Sequence, residues 1–169
     1  MEFRTLLDTR RSVRAFGPEP VTPETLAAVL SAVAAAPTAG NLQAFRIKVI
    51  TDAALLRRLS EAAYGQGFIA GAPVVLVFFS DPEASAASYG PRGQALYATQ
   101  DATIACLTAH YACTDAGLGS TWVGAFDPVA VARLCAAQPT LEPVALLALG
   151  WPAESPSATP RKSLDRLLL

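Results

Sequence analysis

Residues Val74–Ser80 (VVLVFFS) limit how this chain can fold more than any other segment. Six apolar residues run without a polar break, opened by Pro73 and followed by Ser80 and Asp81. Polar residues do not alternate through the run, so it fits a strand buried on both faces rather than one with a wet side. A sheet with such a strand needs cover on both faces, and the 34 alanines and 21 leucines of the 169-residue chain favour helices as that cover.

The flanking segments supply these layers. Residues 2–9 read as a short helix whose pattern breaks over residues 10–16. Thr22-Pro23-Glu24 is a helix start, with Thr as N-cap, Pro at the first helical position and an acid in the first turn. That helix is expected to stop before Pro37. Residues 45–51 (FRIKVIT) read as a strand, and Asp52 caps a helix to about residue 63. The longest helical segment is 94–116, with small and apolar residues on nearly every face. Such a helix is central, covered by other elements or by a second subunit. Gly117-Leu118-Gly119 ends it. A short strand at 121–125, a helix from Asp127-Pro128 to about residue 137 and a strand at 144–149 follow. A Pro/Ser-rich loop at 150–160 precedes the closing SLDRLLL. Helices alternate with buried strands, so the class is α/β or α+β, in one domain spanning 1–169.

With 52% hydrophobic and 16% charged residues the chain is no disordered tail. No stretch of about 18 apolar residues runs unbroken, so no membrane span is expected. MEFRTLLDTRR lacks the apolar block of a secretory signal, which points to the cytoplasm. A net charge of −1 does not advertise nucleic-acid binding. The distribution is uneven, however. Arg4, Arg10, Arg11 and Arg14 crowd the first residues and Arg161, Lys162 and Arg166 the last, while only Arg92 and Arg133 are basic between residues 59 and 157. Either these ends are simply solvated, or they meet and make one small anion site. One histidine and three cysteines with no C-x-x-C make a zinc site improbable. Cys106 and His110, four apart on a helix, read as packing rather than as a thiolate–imidazole pair.

Standard nucleotide motifs fail. Gly65-Gln66-Gly67 with Gly71 precedes a strand, and Gly117-Leu118-Gly119-Ser120 follows a helix; a dinucleotide turn follows a strand and opens a helix. No G-x-x-x-x-G-K-[ST] or G-x-S-x-G occurs. Three other segments carry chemistry. Arg10-Arg11-Ser12-x-Arg14 sets three planar guanidiniums and a hydroxyl within five residues, a match for phosphate oxygens or a solvated basic turn. The loop from Ala36 to Gln43 offers two carboxamides and a hydroxyl before a strand. Trp122 to Asp127 is aromatic around Gly124, where a missing side chain lets backbone N–H groups approach a flat ligand.

Taken together, these segments resemble the nitroreductase family of flavin enzymes over nearly the whole chain. RRSVRAF, APTAGNLQAF, GAPVVLVFF, YATQDATIA, AGLGSTWVGAFD, PVALLALGWPAE and PRKSL occur in the family's order. The resemblance implies an α+β fold with a central mixed sheet flanked by helices, and an intertwined homodimer holding FMN between its subunits. It implies hydride transfer from NADH or NADPH to flavin N5 in ping-pong fashion, and on to nitroaromatics, quinones or similar acceptors. The chemistry belongs to the flavin, so no protein nucleophile or metal is implied. Arg10 and Ser12 would grip the phosphate and ribityl end, with Arg11 at the adjoining motif position and Arg161 closing the site. Arg14 would lie near the pyrimidine edge, stabilising charge on the reduced ring, with Gln66 a further candidate there. Pro37, Thr38, Ala39 and Asn41 would come from the other subunit or the same rim. Gly124 and Ala125 would lie against the ring near N5.

Two departures bear on the acceptor. The family's Pro-Trp after the Gln is here Ala44-Phe45, and the long insertion of larger members is missing, so a more open acceptor pocket is expected. Dehydrogenation, dehalogenation or flavin cleavage on the same fold, or FMN binding without turnover, remain the alternatives.

Overall fold

A computed structural model describes all of residues 1–169. Its centre is a four-stranded sheet in the order β1-β2-β4-β3, with β1 Phe45–Ile50, β2 Val74–Ser80, β3 Gly119–Val123 and β4 Glu142–Gly150. All three pairings are antiparallel; Ile47 stands opposite Phe78, Val75 opposite Ala148, and Trp122 opposite Leu147. The parallel component is a single bridge, Ser12 to Ser120.

Every residue of β2 is buried, as its unbroken apolar run requires. Val75, Val77 and Phe79 pack with Leu56, Leu59, Ile69 and Val131, which come from α3 (Ala53–Ala62), α4 (Phe68–Gly71) and α7 (Pro128–Leu134). Val74, Leu76 and Phe78 face the other way. They meet Val29 and Val33 of α2 (Pro23–Ala34) and Ala105, Cys106, Ala109 and Cys113 of α6 (Ala98–Asp115). Each fully buried Val, Leu or Phe contributes about 1.5–3 kcal/mol, so the two faces hold the sheet between its helices.

Helix starts follow their caps. Thr22 accepts from the Thr25 N–H, Asp52 from Leu55, and Asp127 from Val129 and Ala130. One helix is not anticipated by the sequence reading: α5, Pro82–Arg92, capped by Asp81. Its short side chains and the Gly90-Pro91 pair obscure the periodicity. Gly90 takes φ 57° there, and the chain continues through a π-turn at Gly93–Tyr97 into α6. β3 begins and ends two residues earlier than 121–125. Gly117 turns the chain at φ 77°, and the Leu118 N–H closes on the Cys113 carbonyl, so the strand starts at once.

α6 is covered by its own chain on one side only. Thr99, Gln100, Thr103 and Leu107 form an exposed stripe, and Leu107 keeps 40% of its surface. No helix is long and apolar enough to cross a membrane.

Candidate functional site

The arginine segment follows α1 (Phe3–Thr9) and lies between two extended stretches. On one side Ser12 bridges Ser120, and the Val13 N–H donates to the Ser120 carbonyl at 3.1 Å. Across it, the chain leaving β4 runs alongside: Gly17 N–H donates to the Trp151 carbonyl, Phe16 bridges Pro152, and Ala153 N–H donates to the Ala15 carbonyl. The Glu154 carboxylate then accepts the N–H groups of Arg14 (2.5 Å) and Ala15 (3.1 Å). Backbone on both sides thus fixes residues 12–17, with Val13 buried and Phe16 packed on the core, while the side chains of Ser12 and Arg14 stay available.

These pairings return the tail to the arginines. A cavity of about 340 Å³ is lined by Arg10, Arg11, Ser12 and Arg14 from one end of the chain and by Arg161 with residues 156–159 from the other. The two basic ends do meet, within a single chain, so a second chain is not needed to deliver Arg161. The lone carboxylate in the lining, Asp8, pairs with Arg4 outside it, at 3.4 Å. Arg10, Arg11, Arg14 and Arg161 form no salt bridge. Four guanidiniums held together without a counter-charge repel one another, and an anion relieves that repulsion. The Ser12 hydroxyl makes no bond within the chain, leaving it free for the same ligand.

A path of contacts leads from this cavity to the end of β3. The Arg14 guanidinium sits over the Phe68 ring, 5.7 Å from its centroid. Two residues before Phe68, the Gln66 amide donates to the carbonyls of Ala63 and Ala125, both at 2.9 Å. Both of its donors are spent, so only Oε1 remains to face a ligand. Gly124 and Ala125 are exposed, and their N–H groups enter no turn or loop hydrogen bond. A Cβ on Gly124 would come no nearer than 3.6 Å to Trp122 Nε1, so open space rather than crowding marks this position. Ser120 and Gly124 are four strand residues apart, roughly 13 Å. A ligand touching both the arginines and Gly124 must be elongated.

The 37–41 loop is not part of this cavity. Ala39 donates its N–H to Asp101 Oδ1 at 2.9 Å and lines a separate hollow with Asp101, Tyr97 and Thr103 along the exposed stripe of α6. Thr38 Oγ1 accepts from the Gln43 N–H, and the Gln43 amide donates to Asn41. Gly40, Asn41 and Gln43 all take positive φ, of 56°, 57° and 46°. For the two side-chain-bearing residues that is uncommon backbone, of the kind found at ligand clamps. Pro37, Thr38 and Asn41, like Ala39, stand apart from the arginine cavity of their own chain.

Two buried groups have partners that the sequence does not reveal. His110 is 4% exposed and bonds Arg10 and Ser120, not Cys106. Burial, aided by the Arg10 charge, pushes its imidazole down to about 4. Burial also raises the Cys106 thiol far above its usual range and Cys113 to about 12, so neither is a thiolate at neutral pH. Asp101 has the plainest unmet need: its Oδ2 is buried without a partner.

The fold and this arrangement can be set beside known proteins. The nitroreductase family model matches residues 7–67 and 60–151. The chain belongs to the nitroreductase family. The family match together with its relatives supports an NAD(P)H-dependent oxidoreductase. Across its full length it is 32% identical to a protein of Thermus thermophilus named NADH dehydrogenase, covering 96% of that relative. It is 30% identical to the FMN reductase (NAD(P)H) of Bacillus subtilis, over 92% of this chain and 68% of that one. The crystal structure of a nitroreductase family protein from Clostridium difficile superposes with a TM-score of 0.88 at 27% identity, covering 100% of this chain and 98% of that one. Among nitroreductase-family chains, then, this is one whose paired basic ends line a single cavity.

Proposed function

We propose that this protein binds FMN and passes reducing equivalents from NADH or NADPH to nitroaromatics, quinones or similar small acceptors. The observation that carries the reading is the cavity where Arg10, Arg11, Arg14 and Arg161 meet without an intrachain counter-ion. A phosphate monoester fits that donor set: planar forks and a free hydroxyl, with no competing carboxylate except the already paired Asp8.

In this reading Arg10, Ser12 and Arg161 hold the phosphate, with Arg11 beside them. Arg14, seated on Phe68, faces the pyrimidine edge and offsets negative charge there. Gln66 Oε1 lies at the same edge, and the N–H groups of Gly124 and Ala125 line the ring. When bound, FMN supplies the capacity to take up and release a hydride. The chain's own work is to grip, orient and balance charge.

The 37–41 loop completes the site only from a second copy, since its own chain keeps it apart from the arginine cavity. We therefore infer a homodimer with FMN at the interface. One FMN-binding domain spans residues 1–169, and three free thiols suit the reducing cytoplasm.

Anaerobic titration with NADH and NADPH tests this reading. Flavin absorbance should bleach and should recover on adding a quinone or nitroaromatic. A flavin that neither nucleotide bleaches would overturn turnover and leave a binding protein.

A further inference from the structure

We propose that His110 is a positioning residue for the anion grip: a neutral imidazole, protonated on Nδ1, whose Nε2 holds and aims the Arg10 guanidinium. The inference rests on the FMN reading for its functional consequence, but its geometry stands by itself.

The tautomer follows from the partners. Arg10 Nη1 lies 2.9 Å from His110 Nε2. A guanidinium only donates, and it stays protonated at any pH a protein survives, so Nε2 must accept and carries no proton. The ring's proton is then on Nδ1, which donates to Ser120 Oγ at 2.6 Å. Ser120 is 1% exposed, and it is the strand residue that bridges Ser12. His110 therefore connects three elements: the end of α1, which carries Arg10; α6, its own helix; and β3. The charged and titratable groups around the ring are Arg10 and, on α6 itself, Cys106 and Cys113 one turn away on either side. No carboxylate meets it.

That lack of a carboxylate gives the arrangement its use. Arg10 is a long side chain among three other unpaired cations, and repulsion would drive it out of the cavity. A buried Asp or Glu could hold it, but would cancel the charge that attracts the ligand. A neutral acceptor holds the guanidinium and leaves its full charge for the phosphate. Using Nη1 on the imidazole also leaves the other N–H groups of the fork for the cavity. Holding the side chain before the ligand arrives removes an ordering cost from binding. Burial of the ring, which disfavours its charged form, keeps the acceptor neutral across the physiological range.

The test uses the protein's single histidine, which makes ring NMR unambiguous. Selective ¹⁵N labelling of wild type at pH 7, without flavin, should show the neutral ring with the proton on Nδ1. Proton on Nε2, or a cationic ring, overturns the proposal, and this measurement needs no variant to fold. The second arm is FMN affinity. His110→Gln can place Oε1 where Nε2 was, and should keep Kd within about threefold, whereas His110→Asn is too short to reach Arg10 and should lose about tenfold or more. In an Arg10→Ala background, His110→Asn should add little, because the contact it removes is already gone. A merely structural histidine would weaken both backgrounds equally, and that result, or wild-type affinity in His110→Asn, overturns the proposal. If wild type itself takes no FMN, the functional reading fails separately, while the tautomer still decides whether His110 holds Arg10.

Discussion

Ser12 and Ser120 are joined by a single parallel bridge, 108 residues apart in sequence. The bridge ties the arginine segment to β3, which ends at Val123, one residue before the exposed Gly124. The anion cavity and the strand end are therefore tied to one strand rather than carried on two separate loops. Buried bonds reinforce the tie. Thr121 Oγ1 donates to the Val13 carbonyl, and the Ser120 hydroxyl meets His110.

Gly119 makes this close approach possible. A Cβ there would lie 2.7 Å from Val13 Cγ1 and 2.8 Å from Val13 Cβ, so one of the two strands must shift. Gly119→Ala should cost about 1–3 kcal/mol of stability by overpacking. It should also weaken FMN binding by displacing the arginine segment. Denaturant melts and fluorescence titration check both, and a variant unchanged in both would remove this link between packing and site.

The cofactor can be identified without kinetics. The proposed site puts one phosphate group in the basic cavity, and the path from it to Gly124 presents no second cluster of cations. Protein purified from cells should be yellow, and acid should release FMN. Chromatography showing FAD instead would mean that the site is assigned wrongly.

Removing single arginines should separate the roles of the two chain ends. A hydrogen bond to a charged group contributes about 1.5–3 kcal/mol, so Arg10→Ala should weaken FMN binding roughly 10- to 150-fold. Arg161 is exposed, and its variant should fall at the lower end of that range. Isothermal titration against FMN gives the comparison; unchanged Kd in both would disprove the convergence of the ends on phosphate.

Some of this site was legible in the residues and some was not. The run Val74–Phe79 announced a strand covered on both faces, because burial is read from local pattern, whereas the charge of the two basic ends left open whether they are solvated or meet, since their meeting depends on the whole fold. α5 stayed hidden because PEASAASYGPR has little apolar face to read and ends in a Gly-Pro pair. His110 was legible only as a neighbour of Cys106, four residues away on the same helix. Its real partner, Arg10, is 100 residues distant and meets it only once α1 packs on α6. Hydrogen bonds across that distance leave no periodic trace. The 37–41 loop was expected on the ligand rim, but which chain supplies the rim is a matter of assembly that one chain's pattern does not contain.

His110 also sets a pH dependence of stability. Its folded value is lowered from 6.5 to about 4, so the unfolded chain binds the proton more readily. Its share of stability is fully present above about pH 6.5, is lost as pH falls towards 4, and changes no further below that. The loss should reach on the order of 3 kcal/mol at most. Carboxylates titrate over part of the same window, so wild type must be compared with His110→Gln, which lacks this titration. The gap between their denaturation free energies should narrow from pH 7 to pH 4.5. A constant gap would show that the imidazole takes up its proton equally in both states.

Assembly gives the last prediction. The stripe Thr99, Gln100, Thr103 and Leu107 is exposed on a helix otherwise buried in the core, and the unpartnered Asp101 Oδ2 lies under its edge. Phe3, Leu164, Leu167 and Leu168 are each more than 60% exposed on the same chain. So much apolar surface is what an obligate dimer covers, with more than roughly 2,000 Å² buried in total. Light scattering should give about twice the 17.6 kDa of one chain. Leu107→Asp should leave a single chain's fold nearly untouched, since an exposed position away from caps and cores usually shifts stability by no more than about 0.5 kcal/mol. In the proposed dimer the same change sets two carboxylates into a seam of uncharged Thr, Gln and Leu side chains and should split it. Flavin should leave with dissociation, because in the proposed site the 37–41 loop of one copy completes the arginine cavity of the other, and binding and assembly are linked. A folded 17.6 kDa species that keeps its flavin would overturn the shared site, and would mean that the cavity formed by Arg10 and Arg161 holds FMN without help from a second chain.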